Sequence, residues 1–267
     1  MTQSKYSEAD TEAYYDSQDS RYQKVWDLDG SVHWGYFENL NEAKAEDFLA
    51  ACQRWNEYMF SQSGITKDSR VLDIGCGNGN TAIWLSQNIG CQVVGVDISS
   101  VRVENAKIKA QQYPSLKVEF QKASATSLPF EEGRFTHVWS QAVLYHVHDG
   151  HQALREIYRV LENGGTFVLD DLFSPIQEIN EIAREYVYDR LLFEPGFSLD
   201  SYKDFMTELG FMVLVAKDLT EHLYKSYELL AERALSEYPK LSTSYDKTCE
   251  AIQANQVGWG FYLCKKQ

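Results

Sequence analysis

Val71-Leu72-Asp73-Ile74-Gly75-Cys76-Gly77-Asn78-Gly79-Asn80 reads as a short apolar strand entering a turn in which three alternate residues lack a Cβ. Glycine lets backbone approach a ligand closely, and the helix that follows presents its N-terminus to the same space. A glycine-rich turn says little alone. Here a strand precedes it and a helix through Ile83, Trp84 and Leu85 follows, which is the context a nucleoside crevice requires. A dinucleotide fingerprint reads G-x-G-x-x-G, and its third glycine would fall on Asn80, so this G-x-G-x-G turn departs from it. Asp73, at the strand end, opposes a phosphate but accepts a hydrogen bond from an ammonium group.

Working outward, residues 92–96 form a second buried strand ending at Asp97, 24 residues beyond Asp73. An acid there accepts both hydroxyls of a ribose, which supports a nucleoside without choosing which. Strands follow at 117–120, 135–139 and 166–169, with a helix from about 150 to 161 and Asn163-Gly164-Gly165 entering the fifth strand. This alternation builds a parallel, doubly wound sheet. With 211–216 and 258–263 added, the expected fold is α/β, a doubly wound, mostly parallel seven-stranded sheet. Upstream, Phe48, Leu49, Cys52, Trp55 and Met59 recur at helical spacing, predicting a helix from Asn41 that Gly64 ends. After the fifth strand, 172–199 and 221–256 are read as helical segments covering the carboxyl edge of the sheet. Between them a short helix at 200–209 takes Asp200 as N-cap and Gly210 at its end. The chain thus divides into an N-terminal lid and helical segment (1–64), a cofactor-binding core (65–171), and sheet completion with covering insertions (172–267).

Composition narrows the chemistry. The 39 acidic residues outnumber the 25 basic ones, for a formal charge of −14. Such a surface repels a phosphate backbone, so nucleic acid is not an expected partner. Five cysteines lie scattered without CxxC or Cys/His metal spacing, which reads as reduced thiols and no metal. Residues 1–19 are polar and acidic without an apolar h-region, and no run approaches the roughly 20 apolar residues that span a bilayer. A soluble, cytoplasmic enzyme is expected.

With these residues in hand, the chain from about residue 60 onward resembles class I S-adenosylmethionine-dependent methyltransferases, whose sheet is Rossmann-like. Val-Leu-Asp-Ile-Gly-Cys-Gly-x-Gly is that family's first motif, and Asp97 matches its second. Ser124-Ala125-Thr126-Ser127-Leu128-Pro129-Phe130 resembles the third, usually Asp-Ala-x-x-Leu-Pro-Phe; its Asp commonly bonds the adenine amino group, and Ser124 stands there instead. Residues 135–141 match the fourth-strand motif, and Arg159-Val160-Leu161 with Gly164-Gly165 the turn before the fifth strand. Within the family the chain is similar to glycine, sarcosine and dimethylglycine N-methyltransferases, on Trp139-Ser140-Gln141 with His146, Tyr14-Tyr15-Asp16-Ser17, His33-x-Gly35-x-Phe37 and Gly258-Trp259-Gly260. Lipid cyclopropane synthases and tocopherol-type C-methyltransferases share much of the layout.

The resemblance implies S-adenosyl-L-methionine as cofactor. It implies contacts from Tyr15, His33, Trp34, Asp73, Gly75, Cys76, Gly77, Asn80, Asp97, Ile98, Ser124, Ala125 and Gln141. On the acceptor side, His146 follows the fourth strand, where ligands bind in such sheets, and its ordinary pKa suits proton acceptance. A structural role for His146 is the competing reading. Tyr22 is the second catalytic candidate; with Tyr14 and Tyr15 it is read as a lid whose rings favour a cationic or apolar acceptor. Arg184 and Arg190 suit a carboxylate. Methylation of a small molecule follows, with the nitrogen of a small amine or amino acid as the expected acceptor. The alternative is C- or O-methylation of a prenyl, phenolic or lipid acceptor, and a non-catalytic sensor of the cofactor is a third reading.

Overall fold

In β1 (Arg70–Ile74) the side chains alternate between two cores, Val71 on one face and Leu72 and Ile74 on the other. The same alternation runs through β4 (Phe135–Gln141) and β5 (Leu161–Phe173), where Val138 and Phe167 oppose Trp139 and Val168. The computed structural model describes residues 5–267. With β2 (Gln92–Asp97), β3 (Val118–Lys122), β6 (Phe211–Asp218) and β7 (Gly258–Lys266), the sheet has the order β3-β2-β1-β4-β5-β7-β6. The first five strands pair in parallel, and β7 runs antiparallel to both β5 and β6. β1 has β2 on one side and β4 on the other, so connections leave it in opposite directions. Such a switch point opens a crevice at the carboxyl ends of the strands.

One core packs α2 (Phe48–Ser63), α3 (Asn80–Ile89), α4 (Ser100–Ala110), α8 (Thr220–Ala234) and α9 (Pro239–Gln253) on the sheet; the other packs α5 (Gly150–Val160) and α7 (Leu199–Glu208). Helix α2 begins later than expected, after a 3₁₀ turn at Ala45–Asp47, and ends at Gly64 in the left-handed conformation. The N-cap of α7 is Ser198, whose Oγ accepts the Ser201 amide; Asp200 lies in the first turn. The 221–256 region is two helices rather than one, with Pro239 opening the second.

The 172–199 region corrects the sequence reading. Its first two residues extend β5, and only α6 (Glu181–Ala183), continued by a π-helical stretch Arg184–Asp189, is helical before α7. Pro175, Pro195 and Gly196 interrupt the rest.

The aromatic N-terminal stretch contains α1 (Glu8–Val25), set by a capping box in which Ser7 and Asp10 exchange side-chain and backbone hydrogen bonds. Only Thr11, Asp19, Tyr22 and Val25 of α1 are buried. Polar contacts hold much of it: Asp16 accepts from Ser99 Oγ at 2.5 Å, Glu12 pairs with Lys122, and Asp19 pairs with Arg102 at 3.1 Å. No helix among the described residues is long and apolar enough to cross a membrane.

Candidate active site

A cavity lies at the carboxyl ends of β1, β2 and β4, and α1 and the segment 30–33 form its roof. Tyr15, His33, Asp73, Gly75, Cys76, Gly77, Asn80, Asp97, Ile98, Ser124, Ala125, Gln141 and His146 all line it. Glu8, Thr11, Arg102 and Val143 line it too, and sequence reasoning passed over them.

The glycine turn divides its work. A Cβ on Gly75 would sit 2.2 Å from Val143 Cγ2, so that glycine serves packing and not ligand approach. At Gly77, in the left-handed region at φ +52°, a Cβ would meet nothing nearer than Arg102 at 3.9 Å; this is the position open to the cavity. The turn's amides are mostly engaged. Those of Gly75 and Cys76 donate to Val96 O (2.7 and 3.0 Å), that of Gly77 to Asp97 Oδ2 (2.9 Å), and that of Gly79 to Cys76 O (2.9 Å). A phosphate would find none of these four free to donate, whereas a cation would meet two carboxylates.

Asp73 is 3% exposed, and its Oδ2 has no hydrogen-bond partner. Burial, with Asp97 adding, raises its pKa to about 8. Burial raises Asp97 as well, opposed by Arg102 and by the amides of Ser99 (2.8 Å) and Gly77. Asn80 is occupied, donating to Asp29 O (2.8 Å) and Ser31 Oγ (2.7 Å) and accepting from Lys109, which tethers the roof segment to the turn. Gln141 donates to Asn56 Oδ1 at 2.8 Å, and His33 Nδ1 lies 3.2 Å from Trp34 O.

His146 is buried, with Nε2 on the Tyr15 hydroxyl. Burial pushes its pKa down to about 3, with Arg102 and Arg190 also acting to lower it. It is therefore a neutral imidazole at physiological pH. The Arg102 guanidinium sits 4.2 Å from the centre of the Tyr15 ring. His148 lies 3.5 Å from Glu8, and His151 packs on Phe197 and Phe205. No group of three or more His, Cys, Asp and Glu among the described residues is placed to hold a metal ion.

Two expected site residues lie off this cavity. Trp34 is in the core against Trp259 (5.6 Å between rings) and Tyr227 (6.4 Å). Tyr22 bonds its hydroxyl to Tyr14 at 2.7 Å and lines a second cavity with Tyr14, Gln18, Arg21, Arg190 and Lys240. No carboxylate among the described residues pairs with Arg21, Arg190 or Lys240. Arg190 is held between the rings of Tyr227 and Tyr245 (5.7 and 5.4 Å) and donates to Tyr186 O and Thr248 Oγ1. Arg184 is already paired with Glu194 at 2.9 Å.

Comparison with known proteins bears on this geometry. A family model described as a methyltransferase domain matches residues 72–169. The chain is 30% identical to a sarcosine/dimethylglycine N-methyltransferase of Halorhodospira halochloris over 95% of its own length and 94% of that protein's. It is a class I S-adenosylmethionine-dependent methyltransferase. An O-methyltransferase of Aspergillus sclerotiorum is 27% identical, over 85% of each chain. The fold matches that of phosphoethanolamine N-methyltransferase 2 of Haemonchus contortus, solved with phosphomonomethylethanolamine and S-adenosylhomocysteine. The TM-score is 0.81 at 19% identity, over 96% of this chain and 60% of that one. The relatives of this methyltransferase include N-, O- and C-methylating enzymes. The cavity fits that cofactor: an unpartnered buried carboxylate oxygen on Asp73, a second acid at the end of β2, and open space above Gly77 suit a cationic nucleoside.

Proposed function

We propose that this methyltransferase methylates the nitrogen of a small amine that also carries an anionic group, an amino acid or a close relative of one. When bound, S-adenosylmethionine supplies an activated methyl group on a sulfonium sulfur. In this reading Asp73 takes the cofactor's ammonium group, Asp97 its ribose hydroxyls, and Gly77 lets the chain pass close to it. Tyr15, Cys76, Asn80, Ile98, Ala125, Gln141 and His33 complete the walls. Methyl transfer in line needs alignment and exclusion of water more than it needs acid or base.

The observation that carries the acceptor assignment is the second cavity. It gathers three cations without a carboxylate partner beside the hydroxyls of Tyr14 and Tyr22, with Leu241 its one aliphatic residue. Such a lining suits an anionic group and offers little to a prenyl or sterol chain. Arg190 is close enough to His146 to act on its imidazole, and the Tyr22 and Tyr15 rings stand 6.2 Å apart between the two cavities. An acceptor anchored at Arg190 thus has its nitrogen among aromatic rings, in the field of two guanidiniums. That field and burial both favour the neutral amine, the form with a lone pair to give. His146, itself neutral, is left to hold the Tyr15 hydroxyl and orient the acceptor.

The test is turnover of a panel of amines, phenols and prenyl acceptors with deuteromethyl-labelled cofactor, read by mass spectrometry. Label on nitrogen of an anion-bearing amine is expected, and Arg190→Gln should raise KM for that acceptor about tenfold to a hundredfold with a smaller change in kcat. Label confined to carbon or oxygen acceptors would reject the reading.

A further inference from the structure

The third motif of this chain has Ser124 where the family pattern has an aspartate, and the roof helix brings a carboxylate to the same place. Glu8, in the first turn of α1, lines the cofactor cavity together with Ser124 and Ala125. Its Oε1 accepts from Ser124 Oγ and from Thr126 Oγ1 (3.1 Å), and His148 Nδ1 stands 3.5 Å away. Ser124 Oγ and Thr126 Oγ1 lie 2.7 Å apart, and the Thr126 amide donates to Ser124 Oγ at 3.1 Å. The contacts to Glu8 all fall on its Oε1; Oε2 has no partner among the described residues. The side chain is about one-third exposed.

We infer that Glu8 supplies the adenine-recognising carboxylate that Ser124 lacks, its free oxygen accepting from the 6-amino group while Ser124 and Thr126 hold the other. The consequence is structural as well as chemical. An aspartate on the sheet edge recognises adenine whether or not the roof is in place, whereas Glu8 can do so only when α1 is docked. Adenine recognition and closure of α1 become one event in this chain. The inference concerns the cofactor's base and stands whichever acceptor is methylated.

The test compares binding of S-adenosylhomocysteine with that of S-inosylhomocysteine, which has an oxygen in place of the 6-amino group, by titration calorimetry. The wild type should prefer the adenine compound by about tenfold to a hundredfold, the range of a hydrogen bond to a charged acceptor. Glu8→Ala should collapse that preference, and adding Ser124→Asp to Glu8→Ala should restore it. Glu12→Gln, which loosens α1 by removing its ion pair with Lys122, should narrow that preference without abolishing it, because Glu8 acts only from the docked helix. If the wild type does not discriminate, or if Glu8→Ala weakens both ligands while keeping their ratio, the assignment is overturned and Glu8 is only a latch.

Discussion

Asp73 should make cofactor binding strongly dependent on pH. It is 3% exposed and its pKa is raised to about 8 by burial and then by Asp97, from an ordinary 3.8. Without ligand it is therefore mostly protonated at pH 7. If it grips the cofactor's ammonium group, it must lose that proton on binding. Between pH 5.5 and 7.5, each unit of pH should then tighten S-adenosylhomocysteine about tenfold, near a hundredfold in all, levelling off as the pH passes 8. Calorimetry in buffers of different ionisation enthalpy should report release of close to one proton at pH 6.5. The stability linkage runs the opposite way. Because the folded pKa lies above the unfolded one, the contribution of Asp73 to stability is fully present below pH 4 and is lost as pH rises towards 8, by at most about 1.4 kcal/mol per unit. Asp73→Asn should therefore raise the melting temperature of the free protein at pH 7.5 while weakening the ligand and abolishing its pH slope. A dissociation constant that stays flat from pH 5.5 to 7.5, or a slope that survives in Asp73→Asn, would refute this account.

Two further outcomes follow from the same geometry. Asp19→Asn removes a charge 5% exposed and leaves Arg102, 7% exposed, without its partner, a loss of about 3–5 kcal/mol for a buried pair. Because α1 buries so little else, the loss should appear as undocking: α1 amides exchanging at least about a hundredfold faster, with the main melting transition little moved; a lowered transition with α1 protection unchanged would contradict this. His146, with its pKa pushed down to about 3, should show no NMR titration between pH 5 and 8, and the pH profile of kcat should contain no step from it. A His146 midpoint above 5 would return it to the role of general base.

What was legible in the sequence is what lies within a single strand-turn-helix unit. Asp73, Gly77 and Asp97 reach the cavity because the sheet fixes their places, and the local pattern encodes that sheet. Glu8, Thr11 and Arg102 were not legible, since α1 and α4 meet through Asp16, Asp19 and Ser99, and polar contacts leave no apolar stripe to read. Trp34 and Tyr22 show the converse difficulty. An aromatic residue near a candidate site reads equally as pocket wall or core, and only the packing on Trp259 or the bond to Tyr14 separates the two. Residues 172–199 misled because their Tyr and Phe spacing mimics a helix while two prolines forbid a long one.

The polar character of the α1 contacts has a thermodynamic consequence. A helix docked by a large apolar face would stay down, and the cavity beneath it would be closed to a ligand the size of a nucleoside. Here α1 contributes Glu8, Thr11 and Tyr15 to one cavity and Tyr14, Gln18, Arg21 and Tyr22 to the other, on a base of four buried residues. Any ligand that contacts α1 in either cavity adds to a docking free energy that the protein alone keeps small. The second ligand then finds α1 already in place, so each should strengthen the other, and by linkage the factor is the same in both directions.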